Sequence, residues 1–137
     1  MEKDKKLSTT LSCYSLSPDS EVVNYIRHGE TDYNKAAAFL EGENEMKANL
    51  VRWDEKYLDC RLNDEGIKQA TALGVKLNNV KIHRVYCSPL RRCIETCLKA
   101  LSTHPQKSNL EVIIHPQLTE IAHTIHDGSI SLEEKIS

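Results

Sequence analysis

Large aromatic rings are scarce in this chain, with one tryptophan, one phenylalanine and five tyrosines among 137 residues. Any core is therefore aliphatic and modest in size. Glycine (5) and proline (4) are few, which excludes collagen-like and low-complexity organisation. Neither charge sign is in excess: 18 Lys plus Arg against 20 Asp plus Glu leave a net charge of −2 and a pI near 6.3. That balance argues against nucleic acid or an anionic membrane as partner, because both reward a basic surplus. No apolar run approaches the ~20 residues that span a bilayer. The charged opening Met1-Glu2-Lys3-Asp4-Lys5-Lys6 is followed by sequence broken by Ser and Thr, not by the apolar core of a secretory signal. The five cysteines (Cys13, Cys60, Cys87, Cys93, Cys97) contain no C-x-x-C pair. An odd, irregular set of this kind reads as reduced thiols, so a cytoplasmic protein is expected. Cys93 and Cys97 stand four apart, a spacing open to a helical metal pair, but both fall in an apolar stripe and no metal is expected of them.

What is present suits one soluble globular domain: 39% hydrophobic and 28% charged residues. Residues 1–20 are polar and lysine-rich and read as a flexible arm, leaving 21–137 as the domain. Val22-Val23-Asn24-Tyr25-Ile26 is a β-branched run with the character of a buried strand. Between Thr31 and Leu58, Ala36 to Leu40 has some helical character and the acidic Glu41 to Glu45 reads as a solvated loop. Asn63 has the chemistry of an N-cap, and Ile67, Ala70, Leu73, Gly74 and Leu77 recur after it at helical spacing, up to Asn78-Asn79. Val85-Tyr86-Cys87 predicts a second strand. Ser88-Pro89 predicts a helix start, with serine at the cap and proline at N1. Leu90, Cys93, Ile94, Cys97, Leu98 and Leu101 then form an amphipathic stripe, and Val112-Ile113-Ile114 predicts a third strand. Strands alternating with helices imply an α/β domain with a parallel sheet, and such sheets bind ligands beyond the carboxyl ends of their strands.

Two of those strand ends carry arginine. The first runs into Arg27-His28-Gly29-Glu30-Thr31, the second into Ser88-Pro89-Leu90-Arg91-Arg92. Helical side chains lean toward the N-terminus, so Arg92 is placed to reach over the sheet edge toward Arg27. Two guanidiniums and a helix N-terminus meeting at one point suit a phosphate. His28 stands beside them as a nucleophile, and Gly29 allows close backbone approach.

The segment Arg27-His28-Gly29-Glu30-Thr31 also resembles the signature of the histidine phosphatase superfamily, the phosphoglycerate mutase-like proteins. Three further segments follow in that family's order. Asp59-Cys60-Arg61-Leu62-Asn63 with Gly66 and Gln69-Ala70 resembles D-x-x-L-x-x-x-G-x-x-Q-A. Ser88-Pro89-Leu90-Arg91-Arg92 with Thr96 resembles S-P-L-x-R-A-x-x-T, with Cys93 in place of the usual alanine. Leu118-Thr119-Glu120 resembles L-x-E. The resemblance implies a three-layer αβα sandwich with a parallel sheet of the phosphoglycerate mutase-like type. It implies His28 as the nucleophile that becomes a phosphohistidine, Arg27, Asn34 and Arg92 as phosphate-binding residues, and Glu120 as the general acid. It implies no metal and no cofactor, since arginines supply the positive charge.

Two departures from the family pattern bear on function. The family's domain continues past this glutamate to a further strand and a second active-site histidine, and the seventeen residues after Glu120 are too few for that. The chain is thus expected to lack the C-terminal part of the fold, and His123 and His126 follow Glu120 too closely to substitute. The linker from Thr31 to Leu58 lacks the usual Q-G before Asp59 and any further basic cluster. A mutase, which holds a bisphosphorylated intermediate, needs such a cluster, so a phosphatase is favoured over a mutase. The expected function is metal-independent hydrolysis of a phosphorylated small molecule or phosphoprotein. The alternative is an impaired phosphate-binding or protein-interaction module, with a homodimer formed across the open sheet edge; a third outcome is an unstable fragment.

Overall fold

A computed structural model describes residues 22–40, 45–119, 127, 128 and 134, and the backbone of 11–14. Strand β1 (Leu11–Tyr14) pairs antiparallel with β2 (Val23–Ile26), Leu11 opposite Ile26 and Tyr14 opposite Val23. Helices α1 (Asp32–Phe39) and α2 (Glu45–Arg52) follow, then a single 3-10 turn at Glu55–Tyr57. Helix α3 (Asp64–Leu77), strand β3 (Val85–Cys87), helix α4 (Arg91–Leu101) and strand β4 (Val112–Ile114) complete the α/β part, with a last 3-10 turn at Pro116–Leu118. Strands β3 and β4 are parallel, with Val85 opposite Val112 and Cys87 opposite Ile114. Parallel neighbours require a crossover, and α4 supplies it.

Local chemistry explains the helices. Asn63 caps α3 as its sequence predicts: its Oδ1 accepts the Gly66 N–H at 2.9 Å, while Asp64 and Glu65 occupy the positive end of the dipole and Lys76 the negative end. Gly66, Ala70, Leu73, Gly74 and Leu77 form the buried face. Helix α4 meets that face, and glycine at position 74 is what lets the axes close, because a Cβ there would lie 2.6 Å from the Ala100 carbonyl oxygen. Leu73, Leu77 and Ala100 make the core, with Val80 and Leu101 against it. At the end of β3 the Cys87 thiol donates to the Ser88 carbonyl at 3.3 Å. The nearby Cys97 thiol, joined by burial, pushes the Cys87 thiol upward.

The structure departs from the sequence reading in four places. Strand β2 is present, but Val23, Tyr25 and Ile26 are exposed rather than buried. Its described partner is β1, so this pair is separate from β3–β4, and among the described residues no helix layer covers its faces. Within the segment expected to be an arm, Leu11–Tyr14 form β1; the remainder of 1–20 lies outside the described residues. The start of α4 is shifted: its N-cap is Leu90, which has no side-chain acceptor, and the helix begins at Arg91. Ser88 is buried and its Oγ accepts the Leu90 N–H at 3.3 Å, before the helix proper. The buried side of α4 is Leu90 and the i, i+4, i+8 row Arg92, Thr96 and Ala100, whereas Leu98 of the predicted stripe is 62% exposed. This row puts the small Ala100 against Gly74 of α3, the Thr96 hydroxyl on the Gly29 N–H and the Arg92 guanidinium beside Asp127. Among the described residues no helix is long and apolar enough to cross a membrane.

Candidate active site

Three sequence segments that are far apart in the chain are knitted together by short polar contacts. The loop leaving β2 is the first. Gly29 sits so close to α3 that a Cβ on it would lie 2.5 Å from the Gly66 carbonyl oxygen, and a Cβ on Gly66 would overlap the Glu30 carbonyl oxygen. Two glycines are therefore required where this loop crosses the helix. The loop is then fixed by three further bonds. The Glu30 N–H donates to Gln69 Oε1 (2.9 Å), Asn63 Nδ2 donates to Glu30 Oε1 (2.8 Å), and the Asn63 N–H donates to the Glu30 carbonyl (3.1 Å). Helix α4 holds the same loop from the other side: the Gly29 N–H donates to Thr96 Oγ1 (3.0 Å), whose hydroxyl donates to the Arg92 carbonyl (2.7 Å).

His28 is half-buried within this frame. Its Nδ1 lies 2.7 Å from the Gly29 carbonyl. A carbonyl only accepts, so Nδ1 carries the proton and Nε2 keeps its lone pair. Burial is the main cause that holds the imidazole down from 6.5 to about 4. Arg92 and Arg27 push in the same direction, opposed by the Gly29 bond and by Asp127. The ring is therefore neutral at neutral pH, in the tautomer that presents Nε2 as a nucleophile.

Arg92 is fully buried. A guanidinium in that position needs an anion beside it, and here the Asp127 carboxylate is 3.4 Å from its Nη2. Arg27, at the exposed end of β2, is close enough to act on the His28 charge. Asn34, on α1, has its Oδ1 engaged: it accepts from the Thr31 N–H (3.1 Å) and the Thr31 hydroxyl (2.9 Å), while Thr31 Oγ1 accepts the Asn34 N–H. This capping box starts α1. Glu120, His123 and His126 lie outside the described residues. Arg92 and Arg27 thus both lie close enough to His28 to disfavour its charged form, while Asn34 caps α1.

The helix N-terminus expected to face a phosphate is partly occupied by protein. The first helical N–H, that of Arg91, donates to Asp59 Oδ1 at 2.7 Å. Asp59, Thr96 and Asp127 have contacts here that the sequence reading did not assign. Asp59 and Thr96 were visible in it as motif positions; Asp127 carried no signal. Cys60, half-buried next to Asp59, has its thiol pushed up chiefly by burial. Among the described residues no group of three or more His, Cys, Asp or Glu side chains is arranged to hold a metal ion.

The chain is similar in sequence to several known proteins. The chain is 29% identical over 111 residues to a fructose-2,6-bisphosphatase TIGAR of Xenopus laevis, covering 81% of this chain and 35% of that protein. It is 33% identical over 81 residues to a probable phosphatase of Schizosaccharomyces pombe (59% of this chain, 32% of that one). It is 35% identical over 76 residues to an agropine synthesis reductase of Rhizobium rhizogenes (56% and 16%). The chain spans about a third or less of the length of these relatives. The sequence profile of the histidine phosphatase superfamily (branch 1) matches residues 24–135, a stretch that takes in the His28 loop, the α3 segment locked to it and the helix of Arg92. The chain belongs to the histidine phosphatase superfamily, branch 1.

Proposed function

We propose that this chain is a phosphomonoesterase that works through a phosphohistidine on His28. The observation that carries the reading is the state of His28: a neutral imidazole, its Nδ1 proton held by the Gly29 carbonyl, close to the buried guanidinium of Arg92. Nε2 attacks phosphorus, the P–O ester bond breaks, and the leaving oxygen takes a proton from Glu120. Water then attacks the phosphohistidine and gives its proton to the Glu120 carboxylate; the P–N bond breaks and phosphate departs. Arg92 and Arg27 balance the charge on the phosphoryl oxygens through both steps. Phosphate takes the place of Asp127 as counter-ion to Arg92, and the amide nitrogen of Asn34 donates to it. The two arginines supply the positive charge, so no divalent ion is required.

The substrate class is a phosphorylated small molecule. That is coarser than the sugar bisphosphate in one relative's name, because this chain spans only 35% of that protein. The test is hydrolysis of para-nitrophenyl phosphate in the presence of a chelator. His28→Ala should abolish turnover, and Arg92→Ala should lower it by about 10²–10³, the scale of losing one preorganised charge donor. Alkaline denaturing quench of the wild type should trap phosphate on a histidine, as a base-stable label that is lost on acid treatment. Undiminished turnover in His28→Ala overturns the mechanism; binding of phosphate without turnover leaves a phosphate-binding module instead.

A further inference from the structure

The helix that carries Arg92 lacks a cap of its own. Its N-cap residue, Leu90, offers no side-chain acceptor, and the N–H of its first residue, Arg91, is taken by Asp59 Oδ1 at 2.7 Å, from 32 positions earlier in the chain. Asp59 is fully buried, and its backbone stands at φ 43°, a left-handed conformation that disfavours most residues and is best tolerated by Gly, Asn and Asp. A buried carboxylate must find donors, and a helix N-terminus supplies both an N–H and a favourable dipole. One turn further along α4, Glu95 Oε2 accepts the Leu62 N–H at 2.8 Å. Leu62 in turn bridges to Thr31, behind the His28 loop. The segment Asp59–Leu62 is therefore fastened to α4 at two points and to the His28 loop at a third.

We infer that Asp59 is a positioning residue: by capping α4 in trans it sets where the Arg92 guanidinium sits relative to His28. The inference rests on the phosphate-binding reading of that pair. Two substitutions separate the hydrogen bond from the backbone strain. Asp59→Asn keeps an acceptor oxygen and tolerates the left-handed backbone. Asp59→Gly relieves the backbone and removes the acceptor.

The experiment is orthovanadate binding to the 137-residue chain, measured by calorimetry well below each variant's melting temperature, alongside kcat and KM for para-nitrophenyl phosphate. Misplacing a clamp by about 1 Å costs on the order of 10², so Asp59→Gly should bind vanadate at least about tenfold more weakly than wild type, with Asp59→Asn within about threefold of it. Where Asp59→Gly does not fold, Asp59→Glu, which displaces the carboxylate by one methylene, replaces it with the same expected weakening. Wild-type vanadate affinity in the folded Gly or Glu variant, with only a lower Tm, overturns the inference and leaves Asp59 a stabilising cap. Equal damage in Asn and Gly overturns the hydrogen bond as the carrier. Vanadate binding without ester hydrolysis in the wild type sinks the phosphatase reading and leaves this inference standing on the binding data. A wild type that binds no vanadate overturns the phosphate site and this inference together.

Discussion

At the scale of single residues, the chemistry turns on how one imidazole is held. The Gly29 carbonyl fixes the His28 tautomer, while burial and two neighbouring guanidiniums keep the ring from charging. An NMR titration of the His28 ring protons should give a midpoint near 4, and a midpoint in the ordinary range near 6.5 would show a solvated ring. The sequence placed His28, Arg27 and Arg92 in the same site because each follows a strand or opens a helix. It left open the burial of Arg92, which is complete, with the Asp127 carboxylate beside its guanidinium. It also gave Asn34 a phosphate contact, and there the structure adds a local interaction at capping-box spacing that the sequence reading did not use, an amide oxygen already bonded twice by Thr31.

At the scale of elements, the site depends on close crossings. Gly66 illustrates how tertiary context reverses a local preference. Glycine to alanine inside an isolated helix is favourable by about 1 kcal/mol. In α3 the added methyl would overlap the Glu30 carbonyl oxygen. Gly66→Ala should therefore destabilise the protein by about 1–3 kcal/mol, as overpacking does, and a calorimetric melt should show a lower Tm. A raised Tm would mean that the loop and helix are not in contact. The Asn63 cap and the length of α3 were legible from sequence, since both follow from chemistry within a few residues. The start of α4 was not. Ser88-Pro89 has the right local chemistry for a cap, yet the acceptor that ends the helix comes from Asp59, and no local pattern encodes a partner 32 positions away.

For the whole molecule, the buried imidazole links stability to pH. The unfolded chain binds a proton on His28 near 6.5, the folded one only near 4. The unfolded state therefore binds more protons between those values, and the His28 contribution, full above 6.5, is lost as pH falls from 6.5 toward 4. The loss should be on the order of 1–3 kcal/mol after allowing for partial solvation. Chemical denaturation at pH 7 and pH 4.5 should show it, with a shallower dependence in His28→Ala; parallel curves for the two proteins would place the acid sensitivity elsewhere. The sequence by itself determined the α/β class, the family, the crossover α4 between two parallel strands and the identity of the phosphate-site candidates, because those follow from local periodicity, capping chemistry and motif order. Only the tertiary structure decided which face of α4 is buried, that β2 pairs with β1 and stands exposed, and that Asp59 closes the helix of Arg92. Those outcomes depend on how closely separate backbones approach, which here is set by glycines at 29, 66 and 74 and by the need of each buried polar group for a partner wherever one lies in the chain.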